Sequence, residues 1–88
     1  MYVIYKWELG EVESQQLLIP EDRRIIHIGE QGERLYLWVL GRKDSDQVPC
    51  NIFIYGTGQD VDERILDQKH LKTVQMSSGL VWHIFEEI

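Results

Sequence analysis

Apolar and polar residues alternate along most of this chain, and glycine, proline and acidic residues interrupt the alternation. Between residues 2 and 9 the apolar side chains of the odd-numbered residues share one face, whereas Lys6 and Glu8 fall on the other. A period of two is typical of a β-strand with one buried face. The pattern predicts seven strands, over residues 2–9, 15–19, 24–29, 34–40, 50–55, 71–76 and 80–86.

Short turn-forming segments separate these strands. Pro20 cannot donate a hydrogen bond to a sheet and is expected to end the second strand. After Gly58, Asp60 and Glu63 have the spacing of a capping box, which predicts a helical turn over residues 60–66. Short strands joined by turns at intervals of about 8–12 residues indicate an all-β fold. We expect a small antiparallel sandwich or barrel of six or seven strands with one short helical turn.

The fourth predicted strand departs from strict alternation. Residues 35–40 are six consecutive apolar side chains, which is typical of a strand covered on both faces. In so small a chain the second cover is expected to come from another copy, so the sequence predicts a homo-oligomer. In the third predicted strand, strict alternation places Ile26 and Ile28 together, with Ile25 and His27 on the opposite face.

Composition and charge limit the classes of protein and partner. The 88 residues predict a single domain, residues 1–88, of ordinary globular composition, with 43% hydrophobic residues. The net charge of −6 argues against direct binding to nucleic acid or to an anionic membrane. With one cysteine, Cys50, no intramolecular disulfide can form. Neither a signal peptide nor a membrane span is predicted, and we expect a cytoplasmic protein.

Two segments carry a family resemblance. Residues 53–58 read Phe-Ile-Tyr-Gly-Thr-Gly, and residues 79–85 read Gly-Leu-Val-Trp-His-Ile-Phe. Together with Ile-Tyr-Lys-Trp at residues 4–7, they resemble a family of short phage- and prophage-encoded proteins that is a domain of unknown function. Members of that family often carry His after Gly-Thr-Gly, where this chain has Gln59. The resemblance implies a phage setting, in the cytoplasm of the host cell, and no specific biochemistry.

The two glycines of Gly56-Thr57-Gly58 resemble part of a phosphate-binding loop. The segment is only half of a dinucleotide-binding fingerprint, and no Gly-Lys-Ser/Thr follows it. Asp60 and Asp62 would also repel a phosphate placed there. We therefore interpret Gly56, Thr57 and Gly58 as a structural turn in which at least one glycine has positive φ.

No catalytic or metal-binding pattern is present. His27, His70 and His83 lack the short spacings of zinc ligands, and Cys50 has no histidine near it in sequence. No serine lies in a Gly-x-Ser-x-Gly elbow. The sequence predicts a protein that is not an enzyme and that has no metal and no cofactor.

The basic and aromatic residues are the better candidates for a binding site. Guanidinium groups suit bidentate recognition of phosphate or carboxylate. Around an oligomer axis, arginines with stacking aromatic rings would form an anion pocket; solvated charges in turns are the alternative. The candidate ligand-binding residues are Arg23, Arg24, Tyr36, Trp38 and Arg42.

The three tryptophans, Trp7, Trp38 and Trp82, fall in three different predicted strands. We expect them to form one aromatic cluster with at least two of them in the core, because large rings dominate small cores. A tryptophan left on the surface would instead mark a binding surface.

These observations lead to a hypothesis about function. We expect a non-enzymatic, phage-type binding protein that antagonises host anti-phage defence by sequestering an anionic nucleotide signal. One alternative is a protein–protein blocker of a host defence complex; the other is a structural or accessory phage protein.

Overall fold

The computed structural model describes residues 1–88 and consists almost entirely of β-strands. One 3₁₀ helix, η1 (Glu63–Asp67), interrupts them. The seven strands are β1 (Tyr2–Leu9), β2 (Ser14–Pro20), β3 (Arg23–Gln31), β4 (Arg34–Arg42), β5 (Gln47–Gly56), β6 (Gln68–Gln75) and β7 (Val81–Glu87).

The strands form two antiparallel sheets. One has three strands in the order β1-β4-β3, and the other has four in the order β2-β5-β7-β6. Consecutive strands pair only in the β3–β4 and β6–β7 hairpins; β1 pairs with β4, β2 with β5 and β5 with β7. This confirms the predicted all-β antiparallel fold of six or seven strands: all seven are present, and of the two predicted architectures, sandwich or barrel, the structure is a sandwich.

The core is a single apolar layer between the two sheets. In β4 the burial alternates, so Leu37 and Val39 are fully buried while Trp38 between them faces outward. Ile52 and Ile84 meet them from the larger sheet and are also fully buried. Removing such side chains from water contributes roughly 1.5–3 kcal/mol each, and this layer holds the sheets together.

The apolar run in β4 has one face in this core and the other on the surface of the chain. Tyr36, Trp38 and Leu40 are half-buried by side chains of neighbouring strands. Part of this face therefore stays exposed, and its cover by a second copy stays a prediction.

A β-bulge corrects the predicted faces of β3. The register of β3 on β4 shifts between Ile25 and His27, so Ile26 is an extra residue. Ile25 packs against the core and Ile28 is buried, whereas Ile26 is exposed. Strict alternation, which grouped Ile26 with Ile28, was wrong because the bulge resets the period.

The helical turn begins later than the capping-box spacing suggested. Asp62, not Asp60, is the N-cap: its carboxylate accepts a hydrogen bond from the backbone N–H of Arg64, at 2.9 Å. The turn is a 3₁₀ helix, whose i to i+3 hydrogen bonds suit so short a segment. No helix in the structure has the length and apolar character needed to cross a membrane.

The tryptophans do not form one cluster. Trp7 and Trp82 pack against the core, as predicted for two of the three, but Trp38 lies on the outer face of the smaller sheet. Trp38 contacts Tyr36 and His27, not another tryptophan. Alternation within β4 decides this, because Leu37 and Val39 occupy the core on either side of it.

The sheets approach closely where Gly41 of β4 faces Pro20 of β2. A Cβ atom on Gly41 would lie 2.6 Å from Cγ of Pro20, and both residues are buried.

We expect Gly41→Ala to lower the free energy of unfolding by about 1–3 kcal/mol, because the rigid proline ring cannot move aside. Urea denaturation measures the loss. Gly10→Ala is the control, since its Cβ would meet no atom closer than 3.7 Å; equal stability of the two variants would contradict the close packing.

Candidate binding face

Four of the five candidate ligand-binding residues share the outer face of the three-stranded sheet. Residues paired across antiparallel strands lie on the same face. Ile4 and Arg24 both pair with Leu40, while Lys6 and His27 both pair with Trp38. We call this surface the aromatic face and define it by Ile4, Lys6, Arg24, His27, Tyr36, Trp38, Leu40 and Arg42.

The centre of the aromatic face is the pair Tyr36 and Trp38. Their ring centroids are 5.8 Å apart, with 52° between the planes. His27 of β3 lies on the far side of Trp38, at 5.3 Å. The three rings form a continuous aromatic strip across β4 and β3, with Trp38 in the middle.

A cation lies above this strip. Nζ of Lys6 is 4.5 Å from the centroid of Tyr36 and 6.0 Å from that of Trp38. The same ammonium donates a hydrogen bond to the side-chain oxygen of Gln31, at 2.9 Å. Attraction between the ammonium and the π faces favours this position. Lys6 therefore places a positive charge at the centre of the face without an acidic partner.

The predicted arginines have three different environments. Arg42 forms ion pairs with Asp22 at 3.8 Å and with Asp44 at 3.1 Å. Arg24 is exposed, and its guanidinium has no hydrogen bond or ion pair within the chain. Of the two, Arg24 is the one free to meet a ligand.

Arg23 points away from the aromatic face. It pairs with the core-facing residue Gly41, and its guanidinium lies 3.5 Å from the carboxylate of Glu86 on β7. The same carboxylate lies 3.8 Å from Sγ of the buried Cys50. Burial, reinforced by Glu86, raises the pKa of the Cys50 thiol above its usual 9.0. The ion pair joins the two sheets, so the geometry assigns Arg23 a structural role.

A small cleft of about 250 Å³ lies at one end of the face, between Tyr2, Asp22, Arg23, Arg24 and Leu40. Of its charged lining residues, Arg23 is paired with Glu86 and Asp22 with Arg42, which leaves Arg24 as the unpaired charge. The volume of the cleft is below the range of roughly 300–1,000 Å³ typical of small-molecule sites. One copy of the chain therefore offers an open platform with a shallow basic end.

The Gly56–Gly58 segment lies on the other sheet, away from this platform. Gly58 has φ +85°, which fits the predicted structural turn. The Thr57 hydroxyl is 2.7 Å from Nε2 of His83, and Nδ1 of His83 is 2.9 Å from the Thr73 hydroxyl. The backbone N–H of Gly56 donates to the side chain of Gln59, at 2.9 Å. These bonds tie the turn to the sheet.

Sequence reasoning missed four members of the aromatic face: Ile4, Lys6, His27 and Leu40. Ile4, Lys6 and His27 come beside Trp38 or Leu40 only through the pairing of β1 and β3 with β4. The even-numbered positions of β1 were a usable signal, since Ile4 and Lys6 share the face opposite to the core residues. No group of three His, Cys, Asp or Glu side chains comes together in a way that would hold a metal ion.

Comparison with known proteins gives a family without an assigned function. The matching family model, a domain of unknown function (DUF7352), covers residues 1–88. The chain belongs to this family. No curated protein and no solved structure matches it. DUF7352 membership covers the whole chain and assigns no function to it.

The two adjacent arginines provide a test of the different roles. Arg23→Gln removes a cation from a partly buried carboxylate, and we expect it to lower the free energy of unfolding by about 1–3 kcal/mol. Arg24→Gln is the matched control and is expected to stay within about 0.5 kcal/mol of the unsubstituted protein. Urea denaturation followed by tryptophan fluorescence measures both. The assignment fails if the two variants have the same stability.

The glycine turn provides a second test. Gly58→Ala forces a side chain into the left-handed region, so we expect a loss of about 1–2 kcal/mol in unfolding free energy. Gly56→Ala is the control, because its backbone is not left-handed and its nearest contact would be an ordinary 3.5 Å. Thermal melting compares the two. If the Gly58→Ala variant melts like the unsubstituted protein but loses binding, the turn is a binding site and not a structural element.

Proposed function

We propose that this protein is a non-enzymatic binding protein and that the aromatic face is its contact surface. The observation that carries the proposal is the placement of Trp38 and Tyr36 outside the core, beside Lys6 and Arg24. Tryptophan, tyrosine and arginine are the residues that most often dominate binding energy. Core packing alone does not require such a group on the surface of a small sandwich.

The charge of this surface indicates the charge of the partner. The chain as a whole carries −6, yet Lys6 and Arg24 on the aromatic face have no acidic partner. Glu8, the acidic residue beside Tyr36, is paired with Arg34 at 3.2 Å. The local excess of positive charge favours an anionic partner.

An anionic nucleotide is the first candidate. Its base would stack on Trp38 and its phosphates would meet Arg24 and Lys6, contacts that combine aromatic stacking with charge-assisted hydrogen bonds. The open platform supplies only one wall, so a second copy of the chain would have to supply the other. Sequestration of a nucleotide signal is therefore proposed together with a homo-oligomer.

An acidic surface of another protein is the second candidate, and a specific observation favours it. Ile4 on the aromatic face is 60% exposed, and Ile26, the bulge residue before His27, is 45% exposed. Aliphatic side chains contribute little to nucleotide recognition but are common at protein interfaces. The resemblance to phage proteins would make this partner a component of a host defence complex in the host cytoplasm.

The absence of an enzymatic role is part of the proposal, and two environments support it. The pKa of Cys50 is raised by burial, so its thiol stays protonated and weakly nucleophilic. Both ring nitrogens of His83 are engaged by threonine hydroxyls, and no carboxylate orients the ring. Neither group has the partners that activate a nucleophile or general base.

Trp38→Ala tests the aromatic face. We expect the variant to lose binding by tenfold or more while remaining folded, because the ring lies outside the core. Calorimetry with linear and cyclic nucleotides, and light scattering of the free protein, are the measurements. For the unsubstituted protein, a nucleotide at 100 times its dissociation constant should add about 2.7 kcal/mol of stability.

Leu18→Ala is the matched control, since Leu18 is 59% exposed on the opposite sheet. Nucleotide binding lost in Trp38→Ala and kept in Leu18→Ala supports the first candidate. A protein that binds no nucleotide at millimolar concentration leaves the protein partner as the candidate. A strict monomer at high concentration contradicts the site shared between two copies.

A further inference from the structure

A second cavity lies on the opposite side of the molecule from the aromatic face. It has a volume of about 430 Å³ and lies over the outer face of the four-stranded sheet. Its floor is formed by Phe53 and Tyr55 of β5. Val61 and Ile65, from the segment that contains η1, form one wall. The volume falls within the range of roughly 300–1,000 Å³ of ligand sites.

The floor of this cavity is an aromatic stack. The rings of Phe53 and Tyr55 are nearly parallel, with 4° between their planes and 6.5 Å between their centroids. Phe85 of β7 meets Tyr55 edge-on at 5.6 Å. The hydroxyl of Tyr55 donates to the side chain of Gln68 at 2.9 Å, which fixes the ring in place. The cavity therefore has a rigid aromatic base before any ligand enters.

The rim of the cavity carries an excess of negative charge. Four carboxylates line it, from Glu13, Asp62, Asp67 and Glu87, against the single guanidinium of Arg64. The backbone N–H of Arg64, and after it the guanidinium 3.1 Å from the Asp62 carboxylate, lower the pKa of that carboxyl. The positive charge of Arg64 is therefore paired with the Asp62 carboxylate.

The other three carboxylates have no cationic partner within the chain. Glu13 accepts a hydrogen bond from the amide of Gln59 at 2.9 Å, and Glu87 accepts one from the amide of Asn51. Asp67 has no side-chain hydrogen bond or ion pair. Amide donors orient these groups without neutralising them, so the cavity retains three uncompensated negative charges.

We propose that this cavity is a binding site for an organic cation of the ammonium or guanidinium type. Aromatic π faces at the floor and carboxylates at the rim are the two features that stabilise such a group, through cation–π attraction and charge-assisted hydrogen bonds. An inorganic cation would gain little from the aromatic floor. An anion would meet three carboxylates and is disfavoured.

One cation chemistry can come from two sources, a free polyamine or a lysine or arginine side chain of a peptide. Titration of the ¹⁵N-labelled protein with spermidine, and separately with a short acetylated arginine-containing peptide, distinguishes them. We expect saturable shifts of the amide signals of Phe53, Tyr55 and Ile65 with at least one probe. The probe that binds more tightly identifies the source.

Two variants and a control make the test specific. The double variant Asp67→Asn with Glu87→Gln should weaken binding about fivefold to tenfold, because two rim charges are lost. Phe53→Ala should also weaken binding without changing the charge. Glu21→Gln with Asp46→Asn is the matched control: it removes the same charge from the turns at the other end of the larger sheet, joined by the backbone hydrogen bond from Glu21 to Asp46.

The outcomes separate a site from general attraction to an acidic protein. Weaker binding in the rim and floor variants, with the control unchanged, supports the cavity. Equal weakening in the control, or the same shifts with sodium chloride at matched ionic strength, overturns the proposal. The proposal is also overturned if neither probe produces saturable shifts at concentrations up to about 10 mM.

Discussion

The single apolar layer between the sheets is the constraint on which the rest of this structure depends. A chain of 88 residues can bury one face of each sheet but not both. Leu37 and Val39 of the smaller sheet, with Ile52 and Ile84 of the larger one, are fully buried in that layer, which 12 buried residues form. Large side chains outside this cluster lie at its margin or on an outer face.

This constraint explains where the aromatic residues lie. Tyr5, Trp7 and Trp82 have core-facing positions, but the other six of the nine aromatic residues occupy outer faces of the two sheets. On the smaller sheet, Trp38 and Tyr36 both lie beneath the ammonium of Lys6. On the larger sheet, Phe53 and Tyr55 lie beneath carboxylates. The molecule thus has two aromatic surfaces with opposite local charge, one on each side of a common core.

The two surfaces carry opposite local charges, which the net charge of the chain does not show. A partner in contact with one surface meets its local charge. An overall charge of −6 predicts repulsion of any anion at long range, but salt screens charges beyond about 8–10 Å, so neighbouring side chains decide at contact distance. Lys6 and Arg24 dominate on one side, and Asp67 and Glu87 on the other. The two proposed sites are therefore independent, and loss of one does not require loss of the other.

The period-two pattern determined the strands, because alternation reflects which side chains can be dry in a pleated sheet. It predicted β1 with its core face and a small antiparallel sandwich or barrel, while the glycines of residues 56–58 predicted the turn. The pattern could not show the bulge at Ile26, since an inserted residue breaks the period without changing the composition. Nor could it show that Lys6 of β1 and His27 of β3 partly cover Tyr36 and Trp38. Those contacts, and the cavity beside η1, depend on how the strands pair and pack, which only the tertiary structure decides.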